Sequence, residues 1–152
     1  MSMNFENVVF ELNTRTRDTV FFIFDTEDGL EYAVDCSFDS KEFYGQQIAP
    51  SLCINPILTN AVNKEELVGK SFSVENIEQA DEREDTFYVF EHEPLEKYQL
   101  TILDIDNDRA HIECTGIAVI DGYSEPYKTG KFEIKCWLPI ITNVSDWDKF
   151  GL

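Results

Sequence analysis

Apolar residues along this chain recur at every second position and almost nowhere at the spacing of three and four that marks a helix, so the pattern predicts a mainly β protein. Val8 to Leu12 reads as a first strand, followed by the polar loop Thr14 to Asp18. Thr19 to Asp25 is rich in Phe, Val and Ile and continuous enough to predict a strand buried on both faces. Thr26-Glu27-Asp28-Gly29 supplies a tight reversal, because Asp-Gly accepts the positive φ such turns need. Leu30 to Phe38 then alternates: Leu30, Tyr32, Val34, Cys36 and Phe38 point inward, and Glu31, Ala33, Asp35 and Ser37 outward.

From Asp39 to Gly69 the alternation breaks around Pro50 and Pro56, which predicts a long crossing connection that folds back in part over the core. Within it, Asn63 to Gly69 carries an Asn N-cap, acids in the first turn and a Gly stop, so one short helix is expected near 63–68. The second half predicts a meander. Its strands are Lys70 to Glu78, Thr86 to His92, Tyr98 to Asp106, Arg109 to Ile120 and Lys131 to Leu138, the last ended by Pro139. The acidic stretch Gln79 to Asp85 is expected as a loop, Asp106 to Arg109 and Asp121-Gly122 as turns, and the tail with Trp147 and Phe150 as docked on the body. The expected architecture is a single-domain antiparallel β-sandwich or partly open barrel over residues 1–152.

Charge changes this picture most. The 152 residues hold 12 Lys+Arg against 30 Asp+Glu, a formal net charge of −18. Nucleic-acid affinity comes largely from cations displacing counterions, so this balance argues against nucleic acid as a partner and equally against anionic membrane surfaces. Apolar runs such as Val20 to Phe24 fall far short of the roughly 20 residues that span a bilayer as a helix. The first residues carry no basic and apolar leader, so a cytoplasmic protein is expected.

Cys36, Cys53, Cys114 and Cys136 are widely separated, with no C-x-x-C pair and two histidines in the chain, so neither zinc nor another cofactor is expected. Cys36, Cys114 and Cys136 fall in phase with inward apolar residues and read as buried, reduced thiols.

Catalytic signals are weak. Asp104 to Asp108 mimics the opening of a calcium loop, but Arg109 stands where that loop needs Gly and Thr115 where it needs Glu, so a polar hairpin turn is expected. His92 lies between Glu91 and Glu93 yet would face away from both on a strand, whereas His111 and Glu113 would share a face. Asn143-Val144-Ser145 reads as an accidental match to a glycosylation acceptor. No nucleophile elbow, glycine-rich phosphate loop or H-E-x-x-H occurs, and the chain is read as no enzyme.

One stretch concentrates the charge. Between Glu75 and Glu96 stand nine acids and a single base, Arg83, so these 22 residues carry −8. Phe87, Tyr88 and Phe90 lie among them, and alternation leaves at least one aromatic near the surface. Acids around an exposed aromatic suit a basic protein partner, the field speeding encounter and the ring anchoring the complex. The expected contact surface is Glu75, Glu78, Asp81, Glu82, Glu84, Asp85, Tyr88, Glu91 and Glu93.

As a class, a small acidic β domain with reduced cysteines and no catalytic motif is similar to bacterial immunity proteins. That likeness implies a basic partner, such as a toxin domain, neutralised by being covered. The competing expectation is a small-molecule or carbohydrate binder whose barrel or sandwich encloses a cavity lined by Phe21, Phe22, Phe24, Phe87 and Phe90. An exposed edge strand would also let two copies pair into a homodimer.

Overall fold

The computed structural model describes residues 1–152, and it is mainly β with two 3-10 helices and one short α-helix. The strands are β1 (Ser2–Phe5), β2 (Val8–Glu11), β3 (Val20–Thr26), β4 (Gly29–Ser37), β5 (Lys41–Phe43), β6 (Gln46–Ile48), β7 (Ser51–Leu58), β8 (Ser71–Val74), β9 (Thr86–Tyr88), β10 (His92–Pro94), β11 (Lys97–Asp106), β12 (Arg109–Asp121) and β13 (Lys128–Ile141). Eleven of them form one sheet in the order β10-β9-β7-β4-β3-β13-β12-β11-β8, with β1 and β2 attached beside β13, and β5 and β6 pair separately. The sheet folds over on itself without closing into a barrel. One pair departs from the expected antiparallel arrangement: Ile140 and Ile141 of β13 run parallel to Phe21 and Phe22 of β3.

β13 explains the fold. Along Lys128 to Pro139 it pairs with β12, its residues Phe132 to Lys135 pair with β1 on the other side, and its last two residues turn to β3. One strand therefore belongs to both layers. Its Pro139 does not end the strand as the sequence predicts but sits where β13 leaves β12 for β3, a point at which a missing N–H removes no ladder bond. The layers meet through aromatic rings. Phe87 of β9 lies 5.1 Å from Phe132 of β13 and 5.3 Å from Phe5 of β1, and Phe43 of β5 stacks on Phe5 at 5.1 Å. A single cluster of 36 buried residues joins these contacts into one core.

β4 buries Leu30, Tyr32, Val34, Cys36 and Phe38 as predicted, but Ala33, expected outward, is buried too, at the irregularity in pairing with β7 between Tyr32 and Val34. β3 does not have two buried faces: Phe22 is half-buried against the C-terminal segment and Phe24 is exposed beside it. β1 is a strand that periodicity alone missed, because the reversal Glu6-Asn7, both at positive φ, divides Met3 and Phe5 from Phe10. The expected crossing connection is really the hairpin β5–β6, turned at Tyr44-Gly45, followed by β7. Pro56 is tolerated in β7 because β9 pairs only as far as Cys53. The 3-10 helix Lys64–Leu67 matches the helix predicted near 63–68, with the Asn63 side chain accepting from the Glu66 N–H. The tail docks as expected: Trp147 is buried beside Val20 and Ile141, and Arg17 donates to the carbonyl of Leu152. No helix is long and apolar enough to cross a membrane.

Cys36, Cys114 and Cys136 lie in the core, and all four cysteines are free thiols. Burial, and then the charge of Asp35, push the half-buried Cys53 thiol up to about 12. Almost no thiolate is present at pH 8, so an aromatic disulfide reagent should modify none of the four quickly in the native protein and all four in denaturant. Rapid release of two or more equivalents from the native protein would contradict this burial.

Candidate functional site

The acidic stretch does not form the loop that its composition suggests. Residues Ile77–Arg83 form a helix, α1, because Asn76 accepts from the Gln79 N–H at 2.9 Å while the Gln79 side chain accepts from the Glu75 N–H at 2.7 Å. Ala80 is its buried contact, and Glu78, Asp81 and Glu82 point to solvent. Glu84 stops the helix in the left-handed conformation, at φ 60°. The predicted strand Thr86 to His92 is likewise two short strands, β9 and β10, folded about Val89-Phe90-Glu91.

Asp85 is the main correction to the predicted contact surface, since its side chain is wholly buried. It accepts from the backbone N–H of Asn55 at 2.8 Å, from Arg83 Nε at 2.7 Å and from the Tyr98 hydroxyl at 2.5 Å. Asn55 in turn donates its amide to the carbonyls of Arg83 and Glu84. The carboxylate thus ties β7, the end of α1 and β11 together and faces no partner. The alternation that buries Phe87 and Val89 runs back to Asp85, and that signal in the sequence would have placed it inside.

This network leaves the −8 of the stretch on its eight other carboxylates, with no base among them. Only two ion pairs exist in the molecule, Arg83 with Asp85 and Lys149 with Asp146. The one base of the acidic stretch is therefore committed to its one buried acid. The other eight acids, Glu75, Glu78, Asp81, Glu82, Glu84, Glu91, Glu93 and Glu96, have no cation within 4.0 Å. Glu93 and Glu96 are half-buried and the rest are exposed. Tyr88 is half-buried, its ring 4.9 Å from that of His92 across the β9–β10 pair.

Next to these acids lies an open groove of about 770 Å³ where three turns meet: the β5–β6 tip, the β9–β10 turn and the segment between β12 and β13. Tyr44, Phe90 and Tyr123 line it with Glu91, Glu93, Asp121 and Lys128. Asp121 shapes the third turn by accepting from the Tyr123 N–H at 2.9 Å and the Ser124 hydroxyl at 2.7 Å, bonds that hold its carboxyl below the usual carboxylate range. The Glu91 carboxylate, through hydrogen bonding first and charge second, pushes the Tyr123 phenol upward. Glu93 lies against Gly122 so closely that a Cβ there would come within 2.9 Å of its carboxylate oxygens. β10, which carries Glu93, also contacts α1, so groove and helix form adjoining parts of one acidic region. Of these seven groove residues, the sequence singles out Phe90, Glu91 and Glu93 and gives no site role to Tyr44, Asp121, Tyr123 or Lys128. The signal for the two tyrosines was an aromatic beside a glycine at a reversal, Tyr44-Gly45 and Gly122-Tyr123, where nothing local calls for a ring.

The other candidates gain no support from geometry. His111 stacks on Trp137 at 4.5 Å and makes no hydrogen bond to Glu113. Asp104 to Asp108 leads into the tight β11–β12 turn, and no three potential metal ligands converge anywhere in the chain. The five phenylalanines of the expected cavity do not share a chamber: Phe21 stacks on Tyr32, Phe87 on Phe132, Phe22 and Phe24 pair on an outer face, and Phe90 lines the groove.

No protein-family model, no curated protein and no solved structure matches this chain.

Proposed function

We propose that this protein is a non-enzymatic interaction module that neutralises a basic protein partner, such as a toxin domain, by covering it. The observation that carries this reading is the run of eight carboxylates from Glu75 to Glu96 with no cation beside them, Arg83 being held by Asp85. Such a surface costs repulsion within the folded protein and repays it as attraction to a cationic face, chiefly in the rate of encounter. Asp85 belongs to the scaffold of this surface, and Glu78, Glu82 and Glu84 to its contact.

Affinity capture from the source cells at about 50 mM and about 300 mM salt, a range over which the screening length shortens markedly, tests the reading. A basic protein should be retained. With that protein in hand, the triple variant Glu78→Gln, Glu82→Gln, Glu84→Gln should associate about tenfold more slowly at the lower salt and nearly as fast as wild type at the higher. Capture of no basic protein at either salt, or an unchanged salt slope in the triple variant, would overturn the proposal. In the first case, a small molecule retained in native mass spectrometry would favour the ligand-binding alternative.

A further inference from the structure

We infer that the groove between the three turns anchors an arginine or lysine side chain of the basic partner. The inference rests on the interaction-module reading and assigns that surface its recognition site.

Three exposed aromatic side chains meet in this one concavity, Tyr44 and Tyr123 largely uncovered at 74% and 82% and Phe90 about one-third so at 37%. Scattered exposed rings need no explanation, but rings gathered around one hollow and rimmed by charge mark a contact site. The rim is anionic. Glu91, Glu93 and Asp121 outnumber Lys128, and neither Lys128 nor any other base lies within 4.0 Å of these carboxylates. Glu93 lines the hollow with its carboxylate set against Gly122 and no cation beside it.

A ligand complementary to this arrangement must offer a flat or aliphatic stem to the rings and a cationic head to the carboxylates. Arginine and lysine side chains do both: the stem packs on aromatic faces, the cation is attracted to the ring quadrupole, and the head bonds to carboxylate. At about 770 Å³ the groove exceeds one side chain, which leaves room for the flanking residues of an extended segment. A neutral sugar would use the rings but leave the excess negative charge unmatched.

The probe is an acetylated arginine-glycine repeat hexapeptide amide, titrated into the intact protein and followed by backbone and aromatic NMR and by calorimetry. Its control is the same peptide with glutamine for arginine. The arginine peptide should bind and shift resonances of Tyr44, Phe90 and Tyr123, and Phe90→Ala or Tyr123→Ala should weaken it about fivefold to tenfold, the size of one cation–π contact that is partly desolvated. Both residues are on the surface, and an unchanged melting temperature confirms that each variant is folded. If both variants bind within twofold of wild type while the triple α1 charge variant weakens binding, the groove assignment falls and the acidic-module reading stands. If neither set changes binding, or no peptide binds, the groove assignment falls, and the acidic-module reading is decided separately by the capture experiment. Shifts at the groove produced by a neutral oligosaccharide but not by the arginine peptide would overturn the assignment in favour of a carbohydrate site.

Discussion

Asp85→Ala should cost about 3–5 kcal/mol of stability, the loss expected when one partner of a buried ion pair is deleted. The substitution leaves three donors without their acceptor: the Arg83 guanidinium, the Tyr98 hydroxyl and the Asn55 N–H. Tyr98 is buried and the Arg83 side chain is three-quarters covered, so water cannot simply replace the carboxylate at both. A loss on this scale is a large part of the 5–15 kcal/mol that holds a typical domain folded. Tyr98→Phe removes one neutral donor and should cost about 1 kcal/mol. Replacing the pair together, Arg83→Met with Asp85→Leu, should recover only the part of the loss that comes from the unpaired guanidinium, because the Tyr98 hydroxyl and the Asn55 N–H still lack their acceptor. Urea unfolding followed by tryptophan fluorescence measures all three. A cost below about 1 kcal/mol for Asp85→Ala would mean that the network is not what joins α1 to β7 and β11.

The second large effect is unfolding in alkali. Burial raises the Cys114 thiol, hydrogen bonding to Cys136 and then burial raise the Cys36 thiol, and burial raises the phenols of Tyr32, up to about 12, and of Tyr98. In the unfolded chain thiols ionise near pH 8.5 and phenols near 10. Above those values the unfolded state releases protons that the folded state still holds. It then binds fewer protons than the native state, and stability falls as pH rises, by about 1.4 kcal/mol per pH unit for each such group. The two core thiols from about pH 8.5, joined by two phenols above 10, remove about 7 kcal/mol by pH 10.5, and the half-buried Cys53 adds to the same slope, so the cooperative transition should fall near pH 10–11. Below pH 8 these groups give no slope. Cys114→Ala should lower stability at neutral pH and reduce the slope between pH 9 and 10 by about one proton. Stability that stays flat to pH 10.5 would contradict the burial of these groups.

The parts of the fold legible in the sequence were those whose stabilisation is local. The β4 alternation, the Asn63 cap and the Asp106–Arg109 reversal each depend on residues within a few positions of one another, and each stands as read except at Ala33, which is buried rather than outward. The pairing of β13 with β1 and β3 joins residues more than a hundred positions apart, and no short window encodes it. α1 was misread because its seven residues are mostly charged and leave only Ala80 to mark a buried face, although Asn76 and Gln79 stood at capping distance. The acidic region was visible as composition, and its division into outward acids and one buried anchor was not, because a carboxylate looks alike in sequence whether it meets water or Tyr98. The groove depends on three turns distant in the chain, and only one of them lay within the stretch that charge had singled out.

The strand shared by both layers, β13, also sets when this chain can fold. It follows the other twelve strands in the chain, yet β1 has only β13 and β2 to pair with, and the β3-β4-β7-β9 layer joins the rest of the sheet through it. Until Lys128 to Ile141 have emerged, the nascent chain holds hairpins whose apolar faces have no lasting cover. Such late, long-range pairing makes folding slow and leaves open strand edges exposed in the meantime. Assembly of the two layers therefore waits for β13, and a chain that stops short of it loses the means of joining either layer to the other.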